Sequence, residues 1–369
     1  MQIDLNDPRY AQKPRVFSTV IIKRKSIDLY KARLCTRGDL VPLPDVAFVS
    51  SPTAHRVCIR LLITLSTIFR WQLKTLDISQ AVLQSSNLND SDRLVIIPPP
   101  RITLPWKSEP PPEHIGLKLL RRSRLGFLLV RPLYGGRDAP MRWFITFSTI
   151  LREAGYRQLK TDVCLFTRTL KEGKIDGVFA AHVDDILFTG SPSFLRGAER
   201  IITAFRAGDA ETLQPGKPVI SLGLKLEIDL NHISSLSQRH YVAELSKIDT
   251  NEYVKQGAII DKADHRTTLR QALGALIWVH QTRPDIGFNI TKIATDAVDA
   301  CLDADLATEI ILLRNKTIRF LGNFPRAIRY VPLFSSTETC LSPWGELGKM
   351  RSVAFSDAGF GSLKVSRSI

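Results

Sequence analysis

Apolar and β-branched residues run together from Val16 to Lys23 and then give way to lysine, which predicts a strand leading into a basic turn. Arg56 to Arg70 carries an almost continuous apolar face of helical length and predicts a buried helix. Gln72 to Ile78 reads as a short strand closing on Leu76-Asp77-Ile78. Prolines at 98–100 and 110–112 bracket a loop-rich insertion, because proline fixes φ and cannot serve a ladder. Met141 to Ala154 predicts an amphipathic helix opened by Pro140, and Val163 to Thr169 a strand. Two apolar runs, Val178 to Val183 and Ile186 to Phe188, flank Asp184-Asp185, as in a hairpin with carboxylates at its tip. Phe194 to Ala207 predicts a helix and Ser221 to Ile228 a strand. Arg270 to Val298 and Thr308 to Leu321 predict a helical region, and Ser352 to Phe355 opens a strand as if into another fold.

Composition supports a folded chain: 369 residues, 44% hydrophobic and 24% charged, suffice for two domains or one with several subdomains. The net charge of +15 and pI near 9.8 favour polyanionic partners, although scattered surface lysines would give the same totals. The charge is concentrated, with 13 basic against 5 acidic residues in the first 75. Lys118 to Arg142 holds seven basic residues and the single acid Asp138. Five cysteines without a CxxC pair indicate neither a disulfide framework nor a zinc site, and suggest a reducing compartment. The start of the chain is polar, unlike a signal peptide, and Leu61 to Phe69 is too short to span a bilayer. A soluble intracellular protein is expected.

The aspartates carry the candidate chemistry. Adjacent carboxylates at an apolar hairpin tip call for a cation, yet Asp-Asp is also a common solvated turn. Asp77 sits where a buried strand ends, and equally where a helix N-cap could lie. Nucleotidyl transfer needs carboxylates gathered from different strands around two Mg²⁺ ions about 4 Å apart. Magnesium takes oxygen ligands and keeps water, so two or three aspartates suffice.

The motifs, in order, resemble the reverse transcriptase of copia-type retrotransposons. Tyr30-Lys31-Ala32-Arg33-Leu34 is similar to the family's YKARL run, and Leu76 to Ala81 to its first catalytic motif. Arg131 to Gly135 with Ala139-Pro140 and Trp143 resembles SLYGLKQAPRxW; Asp162 to Phe166 resembles DPCLF. His182-Val183-Asp184-Asp185-Ile186-Leu187 is similar to YVDD(I/M)L, and Ser221-Leu222-Gly223 to FLG. Ser237-Gln238 with Tyr241 resembles SQxxYI, and Leu273-Gly274 to Ile286 resembles GxLxYLxxxTRPDI. Order and spacing hold from about residue 16 to 321.

The resemblance implies an α+β right-hand polymerase with fingers, a palm built on an antiparallel sheet, and a helical thumb. The implied division is a lead-in over 1–15, fingers and palm over 16–245, thumb or connection over 246–330, and the start of a ribonuclease H-like domain over 350–369. Asp77, Asp184 and Asp185 would be catalytic and hold two Mg²⁺, and Lys31 and Arg33 would clamp the triphosphate. A basic strand edge is the plainer reading of those two residues. Trp143 and Tyr134 read as core and scaffold. Phe355-Ser356-Asp357-Ala358 resembles YSDADW, which makes Asp357 a vestigial ribonuclease H ligand without expected activity. Implied partners are an RNA or DNA template with primer and deoxynucleoside triphosphates, with no membrane and with dimerisation left open. The implied setting is cytoplasmic, in a virus-like particle, or nuclear.

Three positions depart from the pattern. Val82 stands where the family carries an aromatic against the nucleotide sugar, Asp138 replaces a nucleotide-contacting Gln, and His182 replaces the hairpin tyrosine. The usual acidic, Trp-containing lead-in before Val16 is missing as well. Two functions therefore compete: an RNA-directed DNA polymerase, favoured by the three aspartates, and a decayed remnant that binds nucleic acid, favoured by the departures.

Overall fold

The structure, a computed structural model, describes residues 1–24, 29–41, 50–99, 125–170, 173–249, 262–297 and 304–331. Strand β1 (Gln2–Asp4) is followed by a long hairpin, β2 (Arg15–Arg24) and β3 (Tyr30–Thr36). Helix α1 (Arg56–Ile68) leads into β4 (Gln72–Asp77), and β5 (Val95–Ile97) and β6 (Leu125–Leu128) follow. Next come α2 (Ala139–Glu153), β7 (Arg157–Gln158), β8 (Leu165–Thr169), β9 (Ile175–His182) and β10 (Asp185–Gly190). Helix α3 (Pro192–Ile202) and β11 (Glu211–Thr212) precede β12 (Val219–Ser221), β13 (Leu224–Ile228) and β14 (Ser234–Ser237). The chain ends in α4 (Arg239–Glu244), α5 (Lys262–His280), α6 (Gly287–Asp296), α7 (Ala304–Asn323) and β15 (Ile328–Tyr330).

The central sheet runs β11-β4-β10-β9-β8-β7, antiparallel throughout. Both of its faces are covered, which explains its unbroken apolar runs. Side chains alternate along a strand, so Phe179, Ala181, Ile186 and Phe188 face α2 and α3. Trp143, Phe147, Phe194 and Ala198 meet them there. Val178, Ala180 and Leu187 face the other way, against Ile59, Leu62 and Ile63 of α1. Helix α1 is buried on that side alone: Val57 and Leu61 are exposed, so it is amphipathic rather than wholly interior.

A second sheet, β1-β6-β5-β2-β3, carries the long hairpin, with β2 and β5 parallel. Gln2–Asp4 pairs with Leu125–Phe127, and the terminal amine donates to the Leu128 carbonyl at 3.0 Å. Of the expected lead-in over 1–15, Gln2–Asp4 and Arg15 thus pair within this sheet.

The third sheet, β12-β13-β14-β15, corrects another expectation. Ser221 to Ile228 is not one strand but a hairpin, because Leu222 and Gly223 both take positive φ, 54° and 69°. Two such residues make the turn whose twist matches antiparallel strands. Strand β15 then returns from the helices to pair with Ser234–Leu236.

Helices α5, α6 and α7 enclose their own core around Leu276, Ile293 and Ile311. The helical region expected over Arg270 to Val298 consists of α5 and α6, separated by residues 281–286, where Pro284 has no N–H to continue a helix. Among the described residues no helix is long and apolar enough to cross a membrane, and Cys35, Cys58 and Cys164 are free. Most of the proline-bracketed insertion, the strand expected at Ser352 to Phe355 and the ribonuclease H-like start with Asp357 lie outside the described residues.

The hairpin β2–β3 is tied to the entry of α2 by backbone against backbone. The Thr36 N–H donates to the Tyr134 carbonyl at 2.7 Å, and the Thr36 hydroxyl donates to the same oxygen at 3.2 Å. Gly135 has φ +83°, and a Cβ there would stand 2.2 Å from the Thr36 carbonyl oxygen. Gly135→Ala is therefore expected to cost about 2–3 kcal/mol, from strain and lost packing together. An unchanged urea midpoint would show that this contact is slack.

Candidate active site

Strands β9 and β10 are joined by two residues, Val183 and Asp184, between the paired His182 and Asp185. Only Asp184 is therefore at the tip. Asp185 already belongs to β10, a correction to the expected pair of tip carboxylates, because a two-residue connection leaves no room for a third residue. Val183 adopts φ +61°, a costly conformation for a β-branched residue, and such strain persists only where surroundings impose it. Here they do. The Trp143 indole donates to the Val183 carbonyl at 2.7 Å, and the Ile78 N–H donates to the Asp184 carbonyl at 2.9 Å. Trp143, buried as core, thus also pins the turn.

Asp77 ends β4, and its register partner is Asp185. Residues opposite each other in an antiparallel pair project to the same face, so Asp77, Asp185 and His182 form one cross-strand row. Asp77 is not a helix cap: the next turn, Ala81–Gln84, starts from Gln80. Burial pushes the Asp185 carboxyl up to about 6, and the neighbouring charges of Asp184 and Asp77 add to it. A backbone hydrogen bond from Leu222 opposes the shift, so the β12–β13 turn reaches the acidic group. His182 is moved the other way, below the usual imidazole range, chiefly by burial, and its Nδ1 is buried without a partner. Beside it opens a cavity of about 450 Å³, lined by Arg56, Arg60, His182, Leu222, Trp278 and Gln281 among others.

Arg33 is half-buried and lies over the Tyr134 ring, 5.2 Å from its centroid, with Nε buried and unpartnered. Burial raises the Tyr134 hydroxyl most; the charges of Asp184 and Asp77 push the same way and Arg33 opposes them. Arg33, Tyr134 and the carboxylates thus share one electrostatic neighbourhood. Lys31, two residues along β3 from Arg33 and exposed, projects to the same side of the hairpin.

The remaining expected residues stand apart. Asp138 is ion-paired to Arg142, which also holds Asp92 at 3.1 Å, so its counter-charge is Arg142 and not Arg137. Arg137 instead donates to the Asp39 carbonyl. Val82 is 7% exposed within its turn. Neither Val82 nor Asp138 lines the cavity beside His182.

Among the described residues no group of three or more His, Cys, Asp or Glu side chains is drawn together tightly enough to hold a metal ion. The donor chemistry nevertheless suits magnesium. Three carboxylates share one sheet end, and Asp185 is raised first by burial and then by its like-charged neighbours, a condition that a hard divalent cation would relieve. Sequence reasoning missed the Arg33–Tyr134 stack, the Trp143 pin and the Leu222–Gly223 turn. Of these only Gly223 carried a local signal.

A family model described as reverse transcriptase (RNA-dependent DNA polymerase) matches residues 12–247. Over 286 residues the chain is 26% identical to the retrovirus-related Pol polyprotein from transposon RE1 of Arabidopsis thaliana, covering 73% of this chain and 18% of that relative. For the counterpart from transposon RE2 of the same plant the identity is 24% over 284 residues, with the same shares. The chain thus spans about a fifth of the length of these relatives, 18%. Among solved structures, the foamy viral protease-reverse transcriptase in complex with double-stranded DNA aligns at a TM-score of 0.43 and 12% identity, covering 81% of this chain and 44% of that one.

A carboxyl held above its unfolded value binds more protons in the folded chain, so raising the pH from about 4 through about 6 costs stability. In metal-free buffer, Asp185→Asn is expected to be more stable than the parent at pH 7.5 by about 2 kcal/mol, with the gap closing towards pH 4. Urea midpoints across that range measure it. A gap independent of pH would show that the Asp185 carboxyl is not raised in the folded chain.

Proposed function

Because this chain belongs to the reverse transcriptase (RNA-dependent DNA polymerase) family in its retrotransposon branch, we propose that it catalyses template-directed nucleotidyl transfer. Its acidic centre would be Asp77, Asp184 and Asp185. The observation that most supports this is the pairing of Asp77 with Asp185 beside the pinned Val183–Asp184 turn, which brings carboxylates from two strands to one sheet end. The substrates would be deoxynucleoside triphosphates and a primer on an RNA or DNA template. Two Mg²⁺ ions held by the three aspartates would supply activation of the primer 3′-hydroxyl and neutralise charge on the triphosphate.

The chain's own residues would do the rest. Arg33, fixed over Tyr134, presents a guanidinium whose unpartnered Nε can donate to a phosphate oxygen, and Lys31 adds a second charge from the same strand. Their role is to orient the triphosphate and to meet negative charge as it grows there. His182, kept neutral by burial, can approach the primer end without adding charge. Val82 supplies less bulk than an aromatic at the sugar position, so discrimination against ribonucleotides would be weak.

A second reading is a nucleic-acid-binding remnant without turnover. It is favoured by Asp138, whose side chain is committed to Arg142 and so cannot serve as the family Gln does. Primer extension on poly(rA)/oligo(dT) with Mg²⁺ separates the two. The parent is expected to extend, and Asp184→Asn to lose at least roughly a hundredfold in rate while still binding the hybrid. A parent that binds the hybrid but incorporates nothing would establish the remnant.

A further inference from the structure

Two of the motif stretches have no part in the acidic centre: Ser237-Gln238 with Tyr241, and Thr282-Arg283-Pro284-Asp285-Ile286. In the fold they meet. The Thr282 hydroxyl donates to Gln238 Oε1 at 2.9 Å, joining positions 44 residues apart in a buried hydrogen bond. Gln238 is 2% exposed, and with Oε1 engaged its Nε2 is buried with no partner. A buried amide donor with no protein partner calls for an acceptor from outside the chain, an ordered water or a ligand.

The same side chain lines a cavity of about 150 Å³ together with Arg239, Thr282, Arg283, Pro325 and Arg326. The arginines are not equivalent. Arg283 is spent on Asp285, with two hydrogen bonds of 2.9 and 2.8 Å, and lies over the Phe320 ring. Arg239 gives one hydrogen bond to the Pro325 carbonyl, at 3.3 Å, which holds the stretch after α7 against α4 and leaves its other donors available. Arg326 is exposed beside it and is felt by Asp285 only after Arg283. No carboxylate lines the cavity. The donors at hand are therefore an amide NH₂ and two guanidinium groups, which select an anionic oxygen ligand. The volume suits an oxyanion and not a nucleobase.

We propose that Gln238, Arg239 and Arg326 form a clamp for one phosphodiester of a bound nucleic acid, with the Gln238–Thr282 hydrogen bond setting the amide. A chain phosphate is favoured over a free one because consecutive residues, Gln281 and Thr282, line the cavity beside His182 and this one respectively. The turn at the end of α5 supplies Trp278 and Gln281 to the cavity that reaches His182, and Thr282 and Arg283 to this one. A strand leaving the catalytic hairpin would reach the clamp along that turn. The proposal rests on the polymerase reading only in taking nucleic acid as the ligand; it does not require turnover.

The test is fluorescence anisotropy of a labelled poly(rA)/oligo(dT)-type hybrid with the full chain, titrated over a range of KCl concentrations. The double variant Arg239→Ala/Arg326→Ala, both at exposed positions, should weaken binding roughly tenfold and flatten the salt slope by about one unit, as for loss of one phosphate contact. Gln238→Leu should weaken binding with the slope unchanged, since it removes a donor without a charge; its circular dichroism spectrum reports whether it folds. Unchanged affinity and slope in the arginine variant overturn the proposal, whether or not the parent extends primers. If inorganic phosphate stabilises the parent in a thermal shift assay and not the arginine variant, while hybrid binding is equal for both, the ligand is a free anion and the chain-phosphate form is overturned. Asp184→Asn binding like the parent, with extension lost, keeps the clamp and the polymerase reading separable.

Discussion

Repulsion among three carboxylates at the end of a buried sheet is the constraint to which the surrounding structure answers. Asp77 and Asp185 are register partners and Asp184 precedes Asp185 directly, so the strand pairing itself keeps the three residues at one sheet end. Two unit charges about 5 Å apart at an effective dielectric near 20 repel by roughly 3 kcal/mol. A single hydrogen bond returns only about 1 kcal/mol, so the two that pin the Val183–Asp184 turn cannot offset this alone. The compensation is hydrophobic. Phe179, Ile186, Leu187 and Phe188 are each almost wholly buried, and such side chains contribute about 1.5–3 kcal/mol apiece. A sheet packed on both faces can hold an unfavourable edge that a one-sided sheet could not.

The same double burial positions what surrounds the acids. Trp143 belongs to the aromatic core with Phe147 and Phe205, and from there its indole nitrogen reaches the turn carbonyl. Helix α1, on the opposite face, brings Arg56 and Arg60 to the cavity beside His182. The backbone contact of Gly135 with Thr36 fixes where the β2–β3 hairpin emerges, and so where Arg33 meets Tyr134. The electrostatics of the site are thus a consequence of packing some distance from it.

Much of this was readable in the chain. The paired apolar runs around Asp184 and Asp185, the strand ending at Asp77 and the helix opened by Pro140 all form close to the expected bounds. What escaped was of one physical kind. Leu222–Gly223 turns a uniformly apolar stretch, and a hairpin there depends on which sheet receives its second strand. Strands β1, β5 and β15 are three residues each, too short for a period to register, and exist because a neighbour's edge needs pairing. The partner of Asp138 is not its sequence neighbour Arg137, because a helical turn places Arg142 over it.

The sequence by itself determined the family, the mixed α+β character and the identity of the three acids, because local periodicity and ordered motifs are properties of the chain alone. Only the tertiary structure decided that Asp184 alone occupies the turn while Asp185 faces Asp77, that burial holds the Asp185 carboxyl near 6, and that Gln238 and Thr282 share a hydrogen bond. Register, burial and long-range contact depend on which surfaces exclude water together. That is a property of the whole packed sheet and its helices, and no window of the sequence contains it.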